Sequence, residues 1–300
     1  AGLLYIVGNF TDAGGAATAD FICTWNGSAF ASITTGGAAS AGITSISISR
    51  TGQVYVGGDF TNIGASGADY LARYSPGDGS WNVIVGATTM TGAVYSIIPD
   101  PWGDGVIVGG VFQNVGGDGS KDYLLRVTVS GTTYAYALIG SAAPNGAVYA
   151  LHYDETTGRL YALGNFTTIG GVAAAKIAYY DGTNWNSLGD GIVGASINEL
   201  SRITSQNGTV HVASQITSAG GITTPDGFVT WSGNRWYGQK FDATSGAYAA
   251  HGVFYDKDTG DLIWLGDIDN STVEGVTSVT NGDYADVYPV VQITGPGTVF

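Results

Sequence analysis

The sequence predicts an all-β fold assembled from repeated four-stranded antiparallel meanders. Three observations carry that prediction. The first is compositional. Only three of the 24 acidic residues are Glu; Asp favours turns, where Glu favours helix interiors. Gly accounts for 49 of 300 residues without a G-X-Y period, which fits strands joined by tight turns and excludes collagen. The second is the lack of any long stretch with helical periodicity. The third is a motif that recurs along the whole chain, best preserved as Val54-Tyr55-Val56-Gly57-Gly58-Asp59-Phe60-Thr61.

Taken in chain order, the motif opens as Leu4-Tyr5-Ile6-Val7-Gly8-Asn9-Phe10-Thr11. It returns at Val54, then as Gly105–Phe112, Leu160–Thr167, a degenerate Val210–Thr217, and Leu262–Ile268. Its apolar anchors are Phe10, Phe60, Phe112, Phe166, Ile216 and Ile268, spaced 50, 52, 54, 50 and 52 residues apart. A steady period of this size marks a propeller, a solenoid or an array.

Each unit divides into four strand-like segments. In the third these are Ala93–Pro99, Gly105–Phe112, Tyr123–Val129 and Thr133–Ile139, with a turn at Asp100-Pro101-Trp102-Gly103-Asp104. The fourth repeats the plan with Val148–Tyr153, Leu160–Phe166, Lys176–Tyr180 and Trp185–Leu188. Short strands with turns between neighbours make antiparallel meanders. Apolar residues on both faces favour sheets packed on both sides, as blades of a propeller are.

A second glycine pair follows each motif: Gly14-Gly15, Gly116-Gly117, Gly170-Gly171 and Gly220-Gly221, with Gly64-Ala65 in the second unit. These fall in the loop before the third strand, where positive φ is cheap only for glycine. No Lys-Ser/Thr pair or helix follows them, so they are not phosphate loops. The third and fourth strands carry an aromatic pair: Trp25…Phe30, Tyr74…Trp81, Tyr180…Trp185 and Trp231…Trp236. Asn26-Gly27, Asp181-Gly182 and Ser232-Gly233 between them are good hairpin turns. The aromatics are expected to pack between blades.

A strand ending in Gly-Gly, a loop, then Tyr or Trp with a second aromatic a few residues on resembles the kelch-type repeat. The Tyr-Val-Gly-Gly-Asp-Phe-Thr variant is similar to repeats of bacterial, phage and fungal surface proteins. The resemblance spans the whole chain, although the fifth unit lacks both motif glycines and the sixth keeps one. It implies one β-propeller domain over residues 1–300, but no single activity. The expected blades are six, at about 1–42, 43–92, 93–146, 147–196, 197–246 and 247–300. The first starts at its second strand, so it is three-stranded or completed by chain outside these residues; a seven-bladed parent cut short is the alternative. The sixth is expected to place its third strand at Ala285–Ile293. A chain that begins at Ala1, with Met90 as its sole Met, is expected to be a processed protein or a piece of a longer one.

Charge narrows the partners. The formal net charge is −14. Nucleic-acid binding needs a basic footprint, and none is present. No apolar run is long enough for a transmembrane helix. The lone Cys23 cannot form an intrachain disulfide or a Cys-based zinc cluster.

Few residues qualify as candidates for chemistry. His152, His211 and His251 lie at non-equivalent positions and read as structural. Asp256-Lys257-Asp258-Thr259-Gly260-Asp261 has a trace of a calcium loop, but Asp154–Arg159 occupies the same place without the ligands, so both read as hairpin turns. No cofactor is expected. The residue before each anchor is Asn9, Asp59, Val111, Asn165, Gln215 and Asp267. Five of the six are polar, and they either face a ligand or bind the adjoining loop backbone. Asp59 and Asp267 are the carboxylates to test for glycoside chemistry. Asn9, Asn26, Asn165, Asn207 and Asn270 fit the glycosylation pattern. The longest departure from the repeat, Asp269–Asp286, carries Asp269, Asn270, Asp283 and Tyr284 and is the first place to seek a partner surface. The expectation is therefore a non-enzymatic module of an extracellular, cell-surface or virion protein. It would serve adhesion or assembly through a protein or glycan partner, or through copies of itself. A carbohydrate-active enzyme is the alternative.

Overall fold

The computed structural model describes residues 2–34, 37–64, 66–84, 90–131, 133–194, 197–223, 227–238, 250–255, 262–266 and 290–293. They are all-β apart from two single 3-10 turns and fall into two compact units: residues 1–148 with 288–300, and residues 149–287.

The first unit holds three four-stranded sheets. One runs Ile43–Ile48, Val54–Gly58, Leu71–Ser75, Ser80–Val83, each strand antiparallel to the last. A second runs Val94–Pro99, Gly105–Gly110, Leu124–Ser130, Thr133–Ala137. These are meanders of the expected kind. Every residue of Val54–Gly58 is buried, and alternation explains how. Val54 and Val56 enter a core with Tyr5, Val7 and Ile22 of the N-terminal sheet. Tyr55, pointing the opposite way, enters a different core with Val94, Ile97 and Val108. Successive side chains of a strand face opposite sides, so this sheet is packed on both faces, as a propeller blade is.

The N-terminal sheet departs from the expectation. Its order is Val290–Ile293, Leu4–Val7, Ile22–Trp25, Phe30–Ser32. Residues 290–293, expected as the third strand of the sixth unit, instead pair antiparallel with Leu4–Val7, with Leu4 opposite Ile293 and Val7 opposite Val290. They occupy the edge filled in the other four-stranded sheets by the unit's own first strand. The physical reason is the open edge: Leu4–Val7 without a neighbour would leave a row of unpaired N–H and C=O groups. Local sequence cannot show which distant segment satisfies them.

The second unit carries one sheet of Val148–Asp154 (from Tyr149 onward), Arg159–Gly164, Ile177–Tyr180, Trp185–Ser187 and another of Arg202–Gln206, Thr209–Ala213, Phe228–Ser232, Arg235–Gly238. Ala250–Tyr255 pairs with Leu262–Gly266. The two complete sheets share a core of Tyr161, Leu163 and Ile177 from one with Ile203, Val210, Val212 and Val229 from the other.

The motif glycines have a steric cause. The first strand bulges between Ile43 and Ser45, and again between Val94 and Ser96. There a Cβ on Gly58 would sit 2.3 Å from the Gly42 carbonyl oxygen, and one on Gly110 2.1 Å from that of Ala93. Only glycine admits such an approach.

Candidate functional site

In the first four units the loop after the motif is built by one backbone device. The residue just before the third strand adopts a left-handed conformation: Phe21 (φ 62°), Tyr70 (61°), Tyr123 (67°) and Lys176 (65°). Its N–H donates to the carbonyl of the anchor: Phe21 to Phe10 at 2.9 Å, Tyr70 to Phe60 at 2.8 Å, Tyr123 to Phe112 and Lys176 to Phe166 at 3.0 Å. Its own carbonyl accepts from the motif glycine, Gly8, Gly58, Gly110 or Gly164, at 2.8 to 3.1 Å. The fifth unit places Gly227 there (φ 72°), accepting from Ser214 N–H at 2.9 Å. A non-glycine residue in this region costs roughly 1–2 kcal/mol, offset by two hydrogen bonds that close the loop. Sequence reading missed these residues; the glycine at the same offset in the fifth unit was the available signal.

The first Gly of the second pair seats the fourth-strand aromatic. A Cβ on Gly64 would lie 2.3 Å from Trp81, on Gly170 2.2 Å from Trp185, on Gly220 2.7 Å from Trp236, and on Gly14 2.4 Å from Phe30. In the third unit, where the aromatic is Tyr134, a Cβ on Gly116 would meet nothing within 4 Å. The paired rings lie 4.6 to 5.4 Å apart. Trp81 Nε1 donates to Ile33 O at 2.9 Å and Trp236 Nε1 to Leu188 O at 3.0 Å. These indoles thus reach the segment that follows the last strand of the preceding sheet.

On this scaffold the residue before each anchor takes different roles. Asn165 is half-buried and tied down. Its Nδ2 donates to Ile197 O at 2.8 Å, and its Oδ1 accepts from Ile197 N–H at 3.0 Å and from Lys176 Nζ at 3.3 Å. This is the loop-binding role. Burial lowers the pKa of Lys176. Asp59 is exposed: its N–H donates to Gly42 O at 3.3 Å, and its carboxylate has no hydrogen bond or ion pair among the described residues. Asn9 and Gln215 are also exposed, and Val111 is half-buried. In the second, third and fifth units the entering segment braces the same loop: Ser40 N–H donates to Asn62 O, Thr91 and Gln113 exchange two bonds of 3.0 Å, and Ile192–Val193 pairs with Ser218–Ala219. Asp267, Asp269, Asn270, Asp283 and Tyr284 lie outside the described residues, as do Asp256–Asp261.

The described ionisable groups of the sheet interior serve the fold. Asp154 caps its hairpin, accepting at Oδ1 from Thr156 N–H at 2.9 Å, from Thr157 N–H at 3.2 Å and from the Thr156 hydroxyl. Its Oδ2 accepts from Gly208 N–H of the adjacent sheet at 3.0 Å. Burial pushes its pKa up, but these hydrogen bonds outweigh it and hold it at about 2. Asp100 is fully buried, receives Arg126 Nε at 2.6 Å and accepts from Trp102 N–H at 2.9 Å. His152 Nε2 lies 3.3 Å from Ser205 O, and His211 Nδ1 lies 2.9 Å from Thr230 Oγ1. Burial lowers both imidazoles, His211 to about 4. The side chain of His251 is outside the description. Among the described residues no three His, Cys, Asp or Glu side chains gather to hold a metal ion, and no helix is long and apolar enough to cross a membrane.

No family model matches the chain, and no curated protein matches it. Among solved structures it is similar to a gluconolactonase of Xanthomonas campestris (11% identity, TM-score 0.47, covering 82% of this chain and 75% of that one). It is similar to the extracellular domain assigned to a hybrid two-component system of B. thetaiotaomicron (16%, TM-score 0.41, 80% of this chain, 35% of that one). It is also similar to the β-propeller domain of Cps50 (Swd1) from Myceliophteria thermophila (12%, TM-score 0.37, 89% and 87%).

Proposed function

We propose that this chain is a non-enzymatic, kelch-like β-propeller module of an extracellular, cell-surface or virion structural protein, recognising a glycan or protein partner through the loops that follow its motif strands. The carrying observation is a contrast at one position. The anchor, the left-handed residue and the motif glycine repeat one hydrogen-bonded backbone in the first four units, while the residue just before the anchor varies: Asn9, Asp59 and Gln215 are exposed, and Val111 and Asn165 half-buried. A fixed scaffold presenting varied polar side chains on loops is how recognition surfaces are built. The net charge of −14 favours neutral or cationic partners over nucleic acid.

A glycan array and a pull-down against surface extracts test the reading. Binding without turnover is expected. Release of product from a bound sugar would overturn it in favour of carboxylate chemistry, which needs two carboxylates across one cleft. Self-association as the sole interaction would point instead to an assembly role.

A further inference from the structure

We propose that Asn26-Gly27 is a site of spontaneous Asn deamidation, and that the fold protects the chemically identical Asn207-Gly208 from the same reaction. Both pairs sit at hairpin turns, with Asn26, Gly27 and Asn207 exposed and Gly208 half-buried. Asn-Gly is the reactive sequence because glycine leaves its backbone nitrogen unshielded by a side chain.

In the reaction, the Gly27 nitrogen loses its proton to solvent base and attacks Asn26 Cγ. An N–C bond forms, the Cγ–Nδ2 bond breaks, and ammonia leaves with a proton from water. The resulting five-membered imide takes up one water at either carbonyl, giving an aspartyl residue at this position or its β-linked isomer. The balance is one NH3 lost and one H2O gained.

Three features favour this at Asn26. Its Oδ1, which carries the negative charge of the tetrahedral intermediate, accepts from Ser28 N–H, Ser28 Oγ–H and Ala29 N–H, each at 2.9 Å. Donors placed on a developing oxyanion stabilise the transition state. The Gly27 N–H has no acceptor among the described residues, and nothing stands within 4 Å of where its Cβ would be. The product also fits. The matching hairpin of the fourth unit has Asp181 in this place, accepting from Thr183 N–H at 2.9 Å and Asn184 N–H at 2.7 Å. The turn therefore already exists in this fold with a carboxylate.

Asn207 differs at the nucleophile. The Gly208 N–H is held at 3.0 Å by the Asp154 carboxylate, and the Asn207 N–H by Thr156 Oγ1 at 3.1 Å. The Gly208 nitrogen must break a charge-assisted bond and give up its proton beside an anion before it can attack. The strength of such a bond corresponds to a roughly ten- to hundredfold slower reaction.

The test ages the intact native protein at mildly alkaline pH and follows both peptides by mass spectrometry, with a parallel sample aged in denaturant. The Asn26 peptide is expected to gain about 1 Da and to split into aspartyl and β-linked isomers, while the Asn207 peptide lags; in denaturant the two should convert together. Equal native rates, or a native Asn26 that stays intact while its denatured counterpart converts, would overturn the proposal. An Asn26→Asp variant should fold normally, confirming that the product suits the turn; failure to fold would remove that part of the argument.

Discussion

Replacing Gly64 by Ala asks whether the loop glycines exist to seat the indoles. Two costs apply at this position. Gly64 has φ 58°, a left-handed conformation worth roughly 1–2 kcal/mol against an L side chain. Its new Cβ would also fall 2.3 Å from Trp81 Cδ1 and 2.7 Å from Cγ. The indole would have to move, and its Nε1 is fixed on Ile33 O at 2.9 Å. Overpacking of this kind adds about 1–3 kcal/mol. Gly116, in the same compact unit, has φ 68° but no atom within 4 Å of its Cβ position, so Gly116→Ala carries only the backbone cost of about 1–2 kcal/mol. Equilibrium denaturation of the two variants measures the difference directly. In a Trp81→Ala background the Gly64→Ala cost should shrink to that of Gly116→Ala, a coupling of about 1–3 kcal/mol. Equal costs for the two glycines in the native background, or no coupling to Trp81, would refute the seating argument.

The half-buried imidazoles set a pH dependence. The pKa of His211 falls to about 4 in the fold against about 6.5 unfolded. The stability it allows is therefore present above about 6.5 and lost as pH falls towards 4; His211→Gln should flatten that part of a stability–pH curve, and an unchanged slope would contradict the burial. Asp154 titrates in a separate window. Its folded value of about 2 lies below the unfolded value of about 3.9, so its contribution is full above that value and lost as pH falls through 2; Asp154→Asn should remove this acid limb, as read by denaturation at graded pH. Deleting residues 288–300 strips the neighbour from Leu4–Val7 and should shift the protein to larger species than the intact chain on a sizing column; an unchanged elution would mean that the edge needs no cover.

Much of the fold was legible because packing needs repeat. A sheet buried on both faces requires Val54, Tyr55 and Val56 in succession, and the period in Phe10, Phe60, Phe112 and Phe166 follows from one anchor per unit. The strands of the third and fourth units fall close to where turns and apolar runs place them. The pairing of 290–293 with Leu4–Val7 was not legible, since strand partners separated by most of the chain leave no local trace. The positive φ of Tyr70 or Lys176 was hidden too, because neither residue type announces it. At the candidate surface, the polar character before each anchor was visible. The division between the tied Asn165 and the exposed Asp59 was not: it depends on whether the Ile197 backbone lies within reach.

The loop surface itself is tested most directly by charge reversal on a glycan array. Wild type, Asp59→Lys and Glu155→Lys would be compared side by side; Glu155 is an exposed residue of the hairpin turn that enters the fourth motif strand, at the opposite end of that strand from its loop. Recognition through the loops after the motif strands predicts that Asp59→Lys loses or changes the glycan profile while Glu155→Lys keeps it. A profile untouched by Asp59→Lys and abolished by Glu155→Lys would contradict the account.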